Sequence, residues 1–173
     1  DMGWLGLDDT DSLEQGCTTF TFHLLLAGLP DAVEVLSPKL VRLWPFAQQR
    51  TRGNAAVAVE LKTEDEEQLL EYLETFWSQN IAPFAGRRSK SHHDSRQQYP
   101  SDPGMVWFSS ERPEEAFYTA SVRHEVQLSD VPPATRSWGG QGRIGATAAV
   151  CWRERQPTWE AIVWRTLERH GQN

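Results

Sequence analysis

The sequence predicts an α/β (α+β) domain built on a mixed sheet, and three observations carry that prediction. The apolar stretch Met2 to Leu7 stops abruptly at a polar loop and is followed by an apolar segment of helical length. Two strand-like stretches, 39–44 and 54–61, lead into a segment with strict helical spacing, Leu69, Leu70, Leu73, Phe76 and Trp77. A further short apolar strand at 105–108 and a helical stretch at 113–126 follow a long polar run. Strands and helices thus alternate along 173 residues, a length suited to one domain or one domain with a small insertion.

Taken in order, Met2-Gly-Trp-Leu-Gly-Leu7 reads as a buried strand that ends in Asp8-Asp-Thr-Asp-Ser12. From Cys17 to Leu29 apolar residues are too dense for a surface stripe, so a largely buried helix is expected, opened by Gly16 and Thr18. Lys39 to Trp44 alternates apolar and basic residues as a strand, and Pro45 to Gly53 forms a loop with Arg50 and Arg52. Thr63-Glu-Asp-Glu-Glu67 supplies an N-cap and an acidic first turn for the helix that runs to Ser78. The run from Gly86 to Gln98 is polar and basic, too long for a tight turn. Ser129 to Gly142 reads as a Pro/Gly-rich loop, and 144–152 with 158–165 as a closing antiparallel hairpin.

Composition bounds the function. The chain is 39% apolar and 24% charged, near the globular average. No apolar run reaches the roughly 18 to 20 residues of a membrane span. Only Cys17 and Cys151 are present, too few for a disulfide framework or a four-cysteine zinc ribbon, and they fit a reducing cytoplasm. Seventeen basic against 24 acidic residues give a net charge of −7, which argues against broad nonspecific nucleic-acid binding. His92 and His93 have no third ligand at suitable spacing, so zinc is not expected there.

The sharpest constellation is Asp8, Asp9 and Asp11 ahead of Gly16-Cys17-Thr18-Thr19. Crowded carboxylates repel one another unless a hard cation such as Mg²⁺ binds them through oxygen. A glycine and two hydroxyls at a helix start favour an anion such as phosphate. Metal and phosphate at one spot is the requirement of phosphoryl transfer. The same residues also fit a plain Asp/Ser turn before an N-capped helix. Arg50-Thr-Arg52-Gly53-Asn54 places two guanidinium forks, a close-approach glycine and an amide where a nucleotide could lie, or forms a solvated basic turn. Trp138-Gly-Gly-Gln-Gly142-Arg143-Ile-Gly145 departs from both the P-loop and the dinucleotide fingerprint, leaving a hairpin entry or a nucleotide-contacting loop.

These blocks together resemble the archaeal tRNA-isoleucine agmatinylcytidine synthetase (TiaS) family. Gly-Leu-Asp8-Asp-Thr-Asp-Ser12 with Gly16-Cys-Thr-Thr19 is similar to its opening signature, and Leu40-Val-Arg-Leu43 with Thr51-Arg-Gly-Asn-Ala-Ala-Val57 to its second block. Asp102-Pro-Gly-Met-Val106 and Gly142-Arg-Ile-Gly-Ala-Thr-Ala-Ala149 with Trp159-Glu-Ala-Ile-Val-Trp-Arg165 resemble later blocks in the same order. The resemblance implies a kinase-like nucleotide-binding domain at 1–53 and 104–173, interrupted by a small ferredoxin-like βαβ insertion at 54–103. It implies ATP and Mg²⁺, with Asp8, Asp9 and Asp11 holding the metal, Thr18 handling phosphate, and Arg52 with Asn54 lining the nucleotide site. The family phosphorylates the 2-carbonyl oxygen of a tRNA wobble cytidine, and agmatine then displaces the phosphate. Its OB fold and zinc ribbon have no counterpart in this sequence, so a smaller acceptor, or a separate RNA-binding polypeptide, is also expected to fit.

Two other readings remain. A nucleotide- or RNA-binding module without turnover would use Arg50, Arg52, Arg87, Arg88, Lys90 and Arg96 as a basic face. A haloacid-dehalogenase-type phosphatase would use Asp9 and Asp11 as its Asp-x-Asp start, but the only lysines are Lys39, Lys62 and Lys90 and the late half has no Asp-Asp pair.

Overall fold

In the computed structural model the described residues are 1–10, 18–42, 55–86, 101–123 and 126–153. Their strands are β1 (Met2–Asp8), β2 (Glu34–Arg42), β3 (Ala55–Lys62), β4 (Gly104–Ser109) and β5 (Arg136–Gly139). The α-helices are α1 (Thr18–Ala27), α2 (Glu66–Phe76), α3 (Ala116–Arg123) and α4 (Gly142–Cys151). The strands form one five-stranded sheet in the order β2-β3-β1-β4-β5, and every neighbouring pair is antiparallel. β3, which the expected division assigns to an insertion, lies between β2 and β1 in this sheet.

Strand alternation sorts side chains onto two faces. Leu5 and Leu7 of β1, Val57, Val59 and Leu61 of β3, and Met105 and Trp107 of β4 form one core with Phe22 and Leu25 of α1 and Leu69, Leu73 and Phe76 of α2. The other face carries Ala56, Ala58, Val106 and Phe108, packed with Ala146, Ala149 and Val150 of α4, and α3 lies against α4. Helices therefore cover both sides of the sheet, an α+β arrangement.

Local sequence explains most of these elements. In α2, Asp65 is the N-cap and its carboxylate accepts from the Gln68 amide at 3.0 Å, while Thr63 Oγ1 accepts from the Asp65 amide at 3.1 Å. The cap thus sits two residues beyond Thr63. Two α2 glutamates also hold indoles of the sheet: Trp107 Nε1 donates to Glu66 Oε1 at 2.8 Å, and Trp138 Nε1 donates to Glu74 Oε2. β2 begins at Glu34, earlier than the expected Lys39, and a register shift between Leu36 and Lys39 accommodates Pro38 and Ser37, whose φ is 44°.

The α+β class stands, but the expected mixed sheet is antiparallel throughout among the described residues, and two further expectations are overturned. The stretch expected to be a strand at 144–152 is the helix α4, beginning at Gly142. Its run of small residues is buried along almost its whole length, so no polar stripe reveals the helical period, and alanine favours helix. Smallness has a packing cause: a Cβ on Gly6 of β1 would lie 2.3 Å from the Ala146 carbonyl oxygen, so helix and sheet approach to backbone contact. The loop expected over 129–142 contains β5, whose Trp138 is buried against the α2 side of the sheet. The second arm of the expected hairpin, 158–165, lies outside the described residues.

Candidate functional site

β1 delivers Asp8 at its carboxyl end, and the chain turns at once. Asp9 has φ 58°, a left-handed backbone that aspartate tolerates better than most residues, and its amide donates to Asp8 Oδ1 at 2.8 Å. The next amide, that of Thr10, donates to Thr18 Oγ1 at 3.2 Å, which fastens the acidic turn to the first residue of α1. Thr10 and Thr18 are buried, at 7% and 6% exposure.

A second strand end meets this turn. Asp102, just ahead of β4, donates its amide to Asp9 Oδ2 at 2.7 Å. Its own carboxylate Oδ2 accepts from the Gln141 amide at 2.9 Å, and its carbonyl accepts from the Gly142 amide at 2.7 Å. The start of α4 is thereby drawn against both strands. A Cβ on Gly104 would lie 2.0 Å from the Arg143 nitrogen, and one on Gly142 would lie 2.3 Å from the Gly104 nitrogen and 2.8 Å from the Asp8 carbonyl oxygen. Only glycine fits this junction.

Gly140 thus precedes a helix and Gly142 opens it, where the sequence suggests a strand. This does not make α4 an anion cradle. The Gly142, Arg143 and Ile144 amides donate to the carbonyls of Asp102, Gly140 and Gln141, so its first turn is internally paired. Arg143 is half-buried and its Nε donates to the Gly140 carbonyl at 3.3 Å.

The donor set suits a hard cation. Asp8 and Asp9 present carboxylate oxygens on consecutive residues at a strand end, and Mg²⁺ is ordinarily held by one or two carboxylates with water and phosphate completing its shell. Among the described residues no three carboxylate, cysteine or histidine side chains converge as a metal site. The third expected ligand, Asp11, lies outside those residues, as do Gly16, Cys17, Arg50, Arg52, Gly53 and Asn54. Of the expected site, the structure thus brings together Asp8, Asp9, Thr18 and the Gly142–Arg143 backbone; Thr19 follows in the first turn of α1. Two residues outside the expected set belong to the same junction, Thr10 and Asp102. The Asp102-Pro-Gly block is the available signal for the second, and the place of Thr10 between Asp9 and Asp11 in the opening signature is the signal for the first.

A family model, the TiaS TCKD domain, matches residues 4–139. The isoleucine-tRNA 2-agmatinylcytidine synthetase TiaS of Methanosarcina mazei is 48% identical over 187 residues, covering 96% of this chain and 40% of the relative. That of Pyrobaculum neutrophilum is 34% identical over 180 residues, covering 96% and 39%. The chain therefore spans 39–40% of the length of these curated relatives. Among solved structures, the complex of TiaS with its isoleucine tRNA and ATP matches with a TM-score of 0.69 at 23% identity, covering 90% of this chain and 37% of that one. The structure of a tRNA fluorescent labeling enzyme matches with a TM-score of 0.70 at 23% identity, covering 90% and 37%. These structural likenesses establish the fold, and with the family match and the relative at 48% identity they lead to one conclusion: the chain belongs to the TiaS family.

Proposed function

We propose that this chain binds ATP with Mg²⁺ at the acidic turn and activates a tRNA cytidine by phosphorylation. The observation that supports this best is the convergence of Asp8, Asp9, Thr18 and the start of α4, drawn from distant parts of the chain and held by the Thr10–Thr18 and Asp102–Asp9 hydrogen bonds. Relatives named as 2-agmatinylcytidine synthetases of an isoleucine tRNA, and structures of similar fold described with ATP, or with AMPCPP and agmatine, point the same way.

In this reading Asp8, Asp9 and Asp11 hold the metal through oxygen. Bound Mg²⁺ would neutralise phosphate charge during transfer. Thr18 and the Gly16–Thr19 backbone would orient the phosphates at the start of α1, where the helix dipole favours negative charge. Arg50 and Arg52 would fork onto phosphate oxygens, with Gly53 and Asn54 beside the nucleoside and Arg143 reaching from α4. The phosphoryl group passes to the cytidine 2-carbonyl oxygen, and an amine of the agmatine type then attacks that carbon and expels phosphate. In this reading the acceptor is a tRNA, the substrate class named for the relatives.

The test is calorimetric titration with ATP and Mg²⁺. Wild type should bind, and Asp8→Asn or Asp11→Asn should weaken binding by about tenfold or more, as expected for loss of a charged ligand contact. No binding at millimolar nucleotide, or equal binding by the variants, would refute the proposal. With binding established, incubation with ATP, agmatine and tRNA should yield a cytidine of altered mass.

A further inference from the structure

Thr10 is buried between the acidic turn and α1, at 7% exposure, and its side-chain Oγ1 has no hydrogen-bond partner. Its amide holds Thr18 Oγ1 at 3.2 Å, so this orphan hydroxyl stands at the amino end of α1, one residue after Asp9. A buried hydroxyl without a partner destabilises the state that contains it, and a valine of nearly the same shape would not. The polar group is unexplained by the fold.

The chemistry of the site supplies an explanation. A phosphate needs donors, whereas Asp8 and Asp9 offer only acceptors when ionised. The first-turn amides of α4 are already engaged with the carbonyls of Asp102, Gly140 and Gln141. Thr10 Oγ1 is an unengaged donor in this cluster. We propose that Thr10 is a phosphate-binding residue: with nucleotide in place, its hydroxyl donates to a non-bridging phosphate oxygen alongside Thr18. The inference rests on the ATP reading above and adds to it a residue and a movement. Because Oγ1 is sealed from solvent as well as from protein partners, the turn must open before the contact forms.

Three proteins test this: wild type, Thr10→Val and Thr10→Ser, each measured by urea unfolding without ligand and by titration with ATP and Mg²⁺. Thr10→Val should unfold at the same or a higher urea midpoint than wild type, since it removes a buried unpaired hydroxyl, yet bind ATP about tenfold more weakly, the ordinary effect of losing one hydrogen bond to a charged group. Thr10→Ser, which keeps the hydroxyl, should bind within about threefold of wild type. A Thr10→Val protein that binds as wild type overturns the inference while leaving the ATP reading intact. So does one that unfolds markedly earlier than both others, because its hydroxyl would then have a partner within the fold. Wild-type protein that takes up no ATP overturns both.

Discussion

Asp9 carries a charge and a backbone conformation at once, and the two can be separated by substitution. Asparagine tolerates φ near 58° and its side-chain oxygen can still accept from the Asp102 amide. Asp9→Asn should therefore keep stability within about 0.5 kcal/mol, judged by urea unfolding, while losing Mg²⁺-dependent nucleotide binding. Asp9→Ala loses the hydrogen bond and places an ordinary residue in the left-handed region, so it should unfold earlier by about 1–2 kcal/mol. Gly104 tests the junction from the other side. Its substitution by alanine would drive a methyl to within 2.0 Å of the Arg143 nitrogen, a backbone atom that cannot rotate away. A destabilisation of about 3 kcal/mol is expected, with weaker ATP binding because α4 is pushed off the strand ends. At this scale the clustered aspartates are conspicuous in the sequence, and the structure sets Asp8 at the end of β1 and Asp9 directly after it, while Asp11 lies outside the described residues. Thr10 and Asp102 lie inside blocks that carry the family resemblance, but the part each plays at the junction depends on what the fold places beside it.

Elements were legible in proportion to their contrast. α2 has one apolar and one acidic face, so its period is visible, although the bonds from Glu66 and Glu74 to the two indoles are invisible in a helical wheel. α4 has almost no exposed face, which hides its period and made it resemble a strand. Its carboxyl end supplies a further prediction. Burial pushes the Cys151 thiol up to about 12, against the opposing pull of Arg153, Lys39 and Arg112. Lys39 Nζ donates to the Trp152 carbonyl at 2.6 Å and Arg153 Nη1 to the Cys151 carbonyl at 3.0 Å, so these cations serve the helix end more than the sulfur. In the unfolded chain the thiol ionises near 9.0, while in the folded protein it keeps its proton until about 12. Between these values the unfolded state binds fewer protons, so stability falls as pH rises, by up to about 1.4 kcal/mol per unit. Urea midpoints measured from pH 8 to 10.5 should decline more steeply for wild type than for Cys151→Ala; parallel declines would show that the thiol ionises equally in both states.

Across the whole molecule, the candidate site is assembled from strand ends and helix starts that are remote in sequence: Asp8 and Asp9, Thr18, Asp102, and Gly142. That assembly depends on β1 being flanked by β3 and β4, and on α4 crossing the face opposite α1 and α2. Strand order was not readable from periodicity, because alternation fixes which face a residue takes but not which strand lies beside it. The four-block resemblance conveyed the family without conveying the pairing. A consequence follows for cooperativity. A ligand that touches the acidic turn, α1 and α4 together binds only when β1, β4 and both helices are in register, so it should stabilise the entire sheet and not one loop. At a nucleotide concentration of about 100 Kd the folded state gains about 2.7 kcal/mol, which for a domain of this size raises the melting temperature by roughly 5–10 °C. Scanning calorimetry with ATP and Mg²⁺ should show a single transition displaced by that amount, and the displacement should vanish in Asp9→Asn. A transition that stays in place while part of the heat absorption splits away would instead mean that nucleotide grips one segment and leaves the sheet indifferent to it.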